Sequence, residues 1–293
     1  MGSIFAGALA YADDLTLLSP TPRAMRTLLS ICENYASEFD ILFNGTKSKC
    51  LFIAPPRYNA IPFGPNPDFT ICGQAIEYVE EWPHLGHIIS VHCEDEHDII
   101  NRRNRMCGQI NNVLCFFDKR DPFVKIRLLT SYCYSLYGSV LWDLSHPCID
   151  SVCCSWRKGV RRALNLPADA SNKLLPGLCG TIPVLDELYR RTAAFIQRCL
   201  YSDCETVSAI ANMSVFSRRM SSPLGRNAFL CCSRFGIPLE CIHKLNTSFI
   251  YNYAASHSEL ATKTSISVLR ELIGVRSIDS SSFHQNILAS EML

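Results

Sequence analysis

The chain opens with two short apolar segments that are separated by a polar turn. Phe5–Ala10 and Leu15–Leu18 flank Ala12-Asp13-Asp14, and aspartate is a frequent turn residue. Apolar runs of this length joined by such a turn are typical of a β-hairpin. Because both runs are apolar, we expect other parts of the fold to cover both strands.

A helical pattern follows this hairpin. Ser19-Pro20 ends the second strand, and Thr21 and Pro22 are residue types typical of the N-cap and the first position of a helix. From Met25 to Phe39 apolar residues recur three and four positions apart. This spacing predicts one amphipathic helix that ends near Phe39.

The pattern changes near residue 94. Before residue 94, Cys50–Ile53 predicts a strand, and Gly73-Gln74 predicts the turn of a further hairpin. After it, helical spacing predicts helices near 96–117, 122–138, 149–164 and 184–201. The expected fold class is therefore α+β, with a small mixed piece before a mainly α-helical remainder.

The composition is that of a globular protein. Of the 293 residues 48% are hydrophobic and 19% are charged, which allows a sizeable core. The 28 Lys and Arg against 27 Asp and Glu give a net charge of +1, which argues against a uniformly basic nucleic-acid binder but allows local basic patches. No apolar run reaches the ~18 residues of a membrane span, so we expect no membrane partner.

Sixteen cysteines are many for this length. The first residues lack the cationic and apolar pattern of a signal peptide, and most cysteines lie in apolar stretches, where the thiol packs as a small hydrophobe. We therefore expect reduced thiols in an intracellular protein, cytoplasmic or nuclear and not secreted. Cys231, Cys232, Cys241 and His243 form the one grouping that suggests a zinc site, and buried thiols are the favoured alternative.

Asp13 and Asp14 are the candidate catalytic residues. An arbitrary Asp-Asp pair is most often a solvated turn. Two carboxylates held together between apolar strands, however, repel each other unless a divalent cation lies between them, and Mg²⁺ with oxygen ligands is the usual cation. Two such ions can bind the attacking and leaving oxygens of a phosphoryl transfer.

The acidic pair lies in a motif that resembles that of a known family. Tyr11-Ala12-Asp13-Asp14 resembles the Y/F-x-D-D box of reverse transcriptases. The longer run Ala8–Leu15 is similar to the form of this box in non-LTR (LINE-type) retrotransposons.

The segments after the box occur in the order that the family has. The predicted helix to Phe39 corresponds to the next helix of the palm, and Asn44–Lys49 resembles the N-x-x-K-[ST] segment. Trp82–Gly86 resembles the primer-grip hairpin, with His84 in place of an aromatic residue. The resemblance implies a partial reverse-transcriptase palm followed by a helical thumb.

The resemblance also implies roles for the charged residues of the palm. Asp13 and Asp14 would bind Mg²⁺, which Mn²⁺ can replace, as the metal ligands of an RNA-directed DNA polymerase. Lys47 would lie near the triphosphate, where a cation neutralises the leaving pyrophosphate. A solvated turn is the alternative interpretation of Lys47.

Four further residues would contact the nucleotide and the primer. Tyr11 and Ala12 would line the site beneath the incoming nucleotide and the primer end. Leu85 and Gly86 would hold the primer strand, with Gly86 allowing close backbone approach. Core packing is the alternative interpretation of Leu85.

The family's palm requires more than these segments. It has a further carboxylate upstream of the box, a nucleotide-binding segment and a fingers subdomain, whereas the sequence begins shortly before Asp13. The resemblance therefore implies a C-terminal part of a reverse transcriptase. We expect this part to lack polymerase activity alone and to have the upstream region as a partner.

Basic residues concentrate in the helical part. Arg102–Arg127 has seven basic and two acidic residues, a net charge of +5. A thumb that follows an RNA template and DNA primer duplex needs cations against phosphates, although a solvated helix face has a similar composition. The candidate backbone contacts are Arg102, Arg103, Arg105, Lys125, Arg127, Arg157, Lys158, Arg161 and Arg162.

The expected organisation has three parts. Residues 1–92 are the partial palm with its primer grip, 93–205 are a helical thumb-like region, and 206–293 are a helical C-terminal region. Two other functions stay open: a non-catalytic nucleic-acid-binding remnant, and a helical interaction protein in which the acidic pair is only a turn. Metal binding at the acidic pair distinguishes the polymerase part from the other two functions. Salt-dependent duplex binding distinguishes the nucleic-acid-binding remnant from the interaction protein.

Overall fold

The computed structural model describes residues 5–54, 67–134, 136–217 and 221–257. The fold is α+β, with helices and small two-stranded sheets, most of which are antiparallel. The described residues form two compact units: those up to Asp98 with Cys199–Met213, and Ile99–Arg198 with those from Ser214 onward. No helix in these ranges combines the length and the apolar character that a membrane span needs.

The first unit carries the strands. Antiparallel pairs join β1 to β2, β4 to β5 and β7 to β8, whereas β3 and β6 pair in parallel. The strands of the described residues are β1 (Ala8–Tyr11), β2 (Asp14–Leu17), β3 (Lys49–Cys50), β4 (Thr70–Ile71), β5 (Gln74–Ala75), β6 (Glu77–Tyr78), β7 (Glu81–His84) and β8 (His87–Ser90).

Helix α1 (Pro22–Glu38) forms as the sequence predicts. The Thr21 hydroxyl accepts a hydrogen bond from the Ala24 N–H at 3.2 Å, and Pro22 takes the first helical position, where no N–H is needed. Leu29 of this helix is buried in a small core with Phe69 and Ile71. The predicted cap is confirmed.

The expectation that other parts of the fold cover the first hairpin is wrong for β1. All four of its residues are exposed, with Leu9 54% and Tyr11 66% accessible. The reason is that α1 packs on β4 and buries Leu29 there, so only Leu17 of the hairpin packs against this core. Within the described residues, β1 pairs with β2 alone.

The second unit is helical, and three of the four predicted helices keep their lengths to within a residue or two. The pattern over 122–138 is the exception. Its α-helix ends at Leu128, and a π-helical turn follows to Cys133. No helix covers 136–138, because Leu136 and Gly138 adopt positive φ angles that no right-handed helix allows.

The other helices belong to the described part of the chain up to residue 257. In chain order they are α2 (Glu96–Phe116), α3 (Pro122–Leu128), α4 (Cys148–Ala163), α5 (Leu175–Cys179), α6 (Val184–Leu200), α7 (Glu205–Asn212), α8 (Pro223–Arg234) and α9 (Thr247–His257). Single turns of π-helix cover Leu129–Cys133 and Met213–Ser217, and 3₁₀ turns cover Ser139–Leu141 and Leu239–Lys244.

Helices α2 and α4 approach closely at a glycine. A Cβ atom at Gly159 would lie 2.9 Å from the Cδ1 atom of Ile110, which is 2% exposed. Beside this contact, Nη1 of Arg162 donates to Oδ1 of Asn111 at 2.6 Å. The absence of a side chain at Gly159 therefore lets the two helices pack.

A buried carboxylate organises the second unit. Glu187 of α6 accepts hydrogen bonds from Arg190 and Arg191, and Arg191 also donates to the Tyr134 carbonyl at 3.0 Å. Burial alone would raise the pKa of the Glu187 carboxyl, but the hydrogen bonds and charges of the two arginines outweigh burial and lower the pKa below its ordinary value. The Tyr134 ring stacks on Trp156 of α4 with 4.5 Å between ring centroids.

A buried amide provides a second polar connection in this unit. The Asn227 side chain, which is 3% exposed, donates to the Trp142 carbonyl at 2.7 Å and accepts from the Leu144 N–H at 3.0 Å. Both backbone groups are far from Asn227 in sequence, so these bonds connect α8 to the segment before α4.

The helix contact at Gly159 gives a pair of substitutions with opposite expected effects. Gly159→Ala is expected to lower the free energy of unfolding by about 1 kcal/mol, because the new methyl group meets Ile110. Gly108→Ala in α2 is expected to raise it by about 0.5 kcal/mol or more, because nothing lies within 4 Å and alanine favours the helix. Urea unfolding measures both changes, and equal signs would contradict this packing.

The Glu187 cluster predicts acid sensitivity. Because the pKa of Glu187 is lowered in the folded state, its ionised form adds stability above the unfolded pKa, and this is lost as the pH falls through the folded pKa. Glu187→Gln is expected to cost about 3 kcal/mol at pH 7 and less at pH 3. Urea unfolding at both pH values tests this, with the exposed Glu240→Gln as control.

Candidate functional site

The acidic pair lies at the tight end of the first hairpin. Tyr11 pairs with Asp14, so Ala12 and Asp13 form a two-residue turn and Asp14 begins β2. Asp14 is therefore a strand residue, not the turn residue that the sequence pattern predicts. Ala12 has a φ of 52°, in the left-handed region that favours glycine. Strained turns of this kind cluster at functional sites.

The pair can supply only part of a metal site. Asp13 and Asp14 are both exposed, and in the part of the chain that the structure describes no three His, Cys, Asp or Glu side chains are grouped to hold a metal ion. Mg²⁺ commonly binds one or two protein carboxylates together with waters and substrate phosphates. Two adjacent carboxylates fit that donor set if the substrate supplies the other oxygens.

The hairpin formed by β7 and β8, called the second hairpin from here on, has a turn of similar tightness. Leu85 and Gly86 join β7 to β8 with φ angles of 46° and 80°, which is the pattern of a type I′ turn. Gly86 adopts this conformation without strain, whereas Leu85 carries a side chain where Asn or Gly is usual. Leu85 is 41% exposed at the tip.

The structure brings these two hairpins together. The Thr16 hydroxyl of β2 lies 3.5 Å from Nε2 of His84 in β7, and both residues are half-buried. His84 is the residue that departs from the aromatic of the family's primer grip. The acidic turn and the candidate primer grip therefore belong to one contiguous part of the first unit.

The two lysines of the N-x-x-K-[ST] segment have different surroundings. Lys47 is exposed, and its backbone N–H donates to Oδ1 of Asn44 within the turn. Lys49 instead forms an ion pair with Glu77 at 2.6 Å and lies over the Trp82 ring at 5.8 Å. The structure thus brings Lys49, rather than Lys47, against the second hairpin.

A histidine and a buried aspartate attach this hairpin to the start of α2. Nδ1 of His87 lies 3.1 Å from Oδ2 of Asp98, and Oδ1 of Asp98 accepts from the Ile88 N–H at 3.1 Å. His97 forms a similar pair with Glu81. Asp98 is 1% exposed, a burial that the sequence analysis did not predict. The sequence signal that could have indicated a structural role is the position of Asp98 in the first turn of α2.

The candidate phosphate-binding residues differ in exposure. Lys125 is 4% exposed, so it presents little surface to a phosphate, and Arg161 donates to the Ala170 carbonyl and thereby holds the loop after α4. Arg157 contacts Cys154 and Asp150. The exposed members are Arg105, Arg127, Lys158 and Arg162, and the half-buried ones are Arg102, Arg103, Arg157 and Arg161.

The cysteines all lie in the described residues, and none is in a disulfide. Burial raises the pKa of the Cys153 thiol to about 11. Burial, together with the charges of Glu240 and Cys241, also raises the pKa of Cys232 to about 11. Burial also raises the pKa of Cys231, whose thiol donates to the Tyr189 carbonyl. Among the described residues, no three His, Cys, Asp or Glu side chains are grouped to hold a metal ion, so the structure does not support a zinc site at Cys231, Cys232, Cys241 and His243.

Comparisons with known protein families, curated proteins and solved structures find no match. The resemblance to reverse transcriptases therefore depends on the motif residues and their order along the chain. The geometry adds the contact between the two hairpins.

The strained Leu85 turn predicts opposite effects on stability and binding. Leu85→Asn is expected to raise the free energy of unfolding by about 1 kcal/mol, because Asn adopts the left-handed conformation more readily. If Leu85 contacts a primer, the same variant binds a primer–template duplex more weakly. Urea unfolding and fluorescence anisotropy measure the two, with Leu42→Asn, at an 89% exposed leucine, as control. Unchanged binding would remove Leu85 from the site.

Proposed function

We propose that the chain is part of a non-LTR-type reverse transcriptase, a polymerase that copies RNA into DNA. The first unit corresponds to part of the palm, and helices of the second unit correspond to the thumb. The observation that carries the proposal is the contact between Thr16 and His84, which joins the acidic hairpin to the candidate primer grip.

The proposed chemistry is nucleotide addition to a primer. Asp13 and Asp14 supply carboxylate oxygens at the exposed tip of the first hairpin, which a nucleotide and a primer end can reach. Lys47 supplies an exposed cation for the triphosphate. Mg²⁺, when bound, would stabilise the charge on the attacking and leaving oxygens.

The second hairpin would position the primer strand. The Leu85-Gly86 turn places backbone groups at an exposed tip, and Gly86 allows another backbone to approach closely. The exposed cations Arg105, Arg127, Lys158 and Arg162 would contact phosphates without reading bases.

The chain alone is expected to bind nucleic acid without extending a primer. The resemblance to reverse transcriptases implies a further metal-binding carboxylate beyond the pair, and among the described residues no third acidic side chain joins the pair to hold a metal. The upstream part of the palm is the proposed source of that group. Robust Mg²⁺-dependent extension by the chain alone would overturn this part of the proposal.

Metal binding tests the role of the acidic pair. Asp13→Asn and Asp14→Asn are each expected to weaken Mn²⁺ binding about tenfold in the presence of a nucleoside triphosphate, because each removes a charged oxygen ligand. Electron paramagnetic resonance of free Mn²⁺ measures the affinity. Asp40→Asn is the matched control, since Asp40 is an exposed aspartate whose φ of 54° asparagine tolerates. Equal affinities for all variants would refute the metal site.

Duplex binding separates the proposed polymerase part from the second candidate, a non-catalytic nucleic-acid-binding remnant. That candidate is favoured by the exposed cations of the second unit and requires binding that falls steeply with salt, but no metal at Asp13. Salt-dependent binding with unchanged metal affinity in Asp13→Asn would select it. Absence of both would select a helical interaction protein.

A further inference from the structure

Tyr137 projects from a tight turn in the second unit. The Ser139 N–H donates to the Leu136 carbonyl at 3.0 Å, and Gly138 has φ 81° and ψ −9°. These angles define a type II turn with Tyr137 at its first corner, which needs glycine at the second. Tyr137 is therefore held at the corner of a defined turn, and its side chain is 60% exposed there.

The residues on either side anchor this turn. Leu136 is 4% exposed and Ser139 is 1% exposed, whereas Tyr137 between them is 60% exposed. Leu136 also has a φ of 40°, a strained conformation for a leucine. The fold thus maintains a strained backbone and a large exposed ring at one point, and such strain is typical of functional sites.

Arg102 lies against the Tyr137 ring. Its guanidinium carbon is 5.3 Å from the ring centroid, and Arg102 is itself half-buried on α2. A cation over an aromatic face attracts the ring and fixes its orientation. The contact also places a positive charge beside an exposed aromatic surface.

The elements that precede this turn in the chain carry further exposed cations and a second exposed ring. Arg105 follows Arg102 by one turn of α2, and Arg127 lies at the end of α3. The π-helical turn that follows α3 carries Tyr132, which is 65% exposed. Single π-helical turns occur frequently at functional sites.

We propose that Tyr137, held by Arg102, is a stacking platform for an unpaired base of a single-stranded nucleic acid. Exposed aromatic rings beside cations bind single strands because every base has a face that can stack, while arginines hold the phosphates. A duplex keeps its bases paired and stacked on each other, so duplex binding makes no use of such a ring. The site is thus additional to the proposed palm and thumb contacts and needs neither Asp13 nor Asp14.

Fluorescence anisotropy of the full chain tests the platform. The probes are a short labelled oligouridylate and an abasic strand of equal length and charge. The unsubstituted chain is expected to bind the strand with bases about tenfold more tightly. Tyr137→Ala is expected to remove this difference, and Tyr137→Phe to keep it because the ring remains. Tyr201→Ala, at a tyrosine that is 68% exposed, is expected to leave the difference unchanged.

Equal affinity of the unsubstituted chain for the two strands would overturn the proposal, and this comparison does not depend on how any variant folds. Unchanged discrimination in a folded Tyr137→Ala would also overturn it. Asp13→Asn is expected to keep the discrimination. The stacking platform and the polymerase proposal therefore fail separately, the first in the base-against-abasic comparison and the second in the Mn²⁺ titration.

Discussion

The helical unit depends on one buried ionic cluster. Glu187 can be ionised inside the protein only because Arg190 and Arg191 bind it from the same helix. Arg191 then donates to the Tyr134 carbonyl, and Tyr134 stacks on Trp156, so the cluster joins α6 to α4 and to the segment after α3. That segment leads directly into the turn that presents Tyr137.

The first unit is organised differently, around contacts between hairpins. Its small core contains Leu29, Phe69 and Ile71 and lies away from the acidic turn. Leu17 packs the hairpin of this turn against the core, and the polar contact between Thr16 and His84 joins it to the β7–β8 hairpin. The acidic pair is therefore exposed to solvent, where a phosphate or a metal ion can reach it, and the strand before it presents Leu9 and Tyr11.

Local elements followed from the sequence because their determinants are close in the chain. Thr21 and Pro22 define the start of α1, and the apolar spacing after them defines its extent. The acidic turn is likewise predicted from adjacent residues, the polar Ala12–Asp14 segment between two apolar runs. The helix over 122–138 was predicted too long because the apolar spacing continues past Leu128, whereas the positive φ of Leu136 leaves no signal in that spacing.

The sequence by itself determined the α+β class, the order of the motifs and the residue types at the candidate site, since these depend on spacing and local chemistry. Only the tertiary structure decided which charges are accessible. Lys125 and Asp98 are buried, Lys49 pairs with Glu77, and β1 is exposed. Burial depends on which elements pack together, and contacts between residues distant in the chain leave no periodic signal in the sequence.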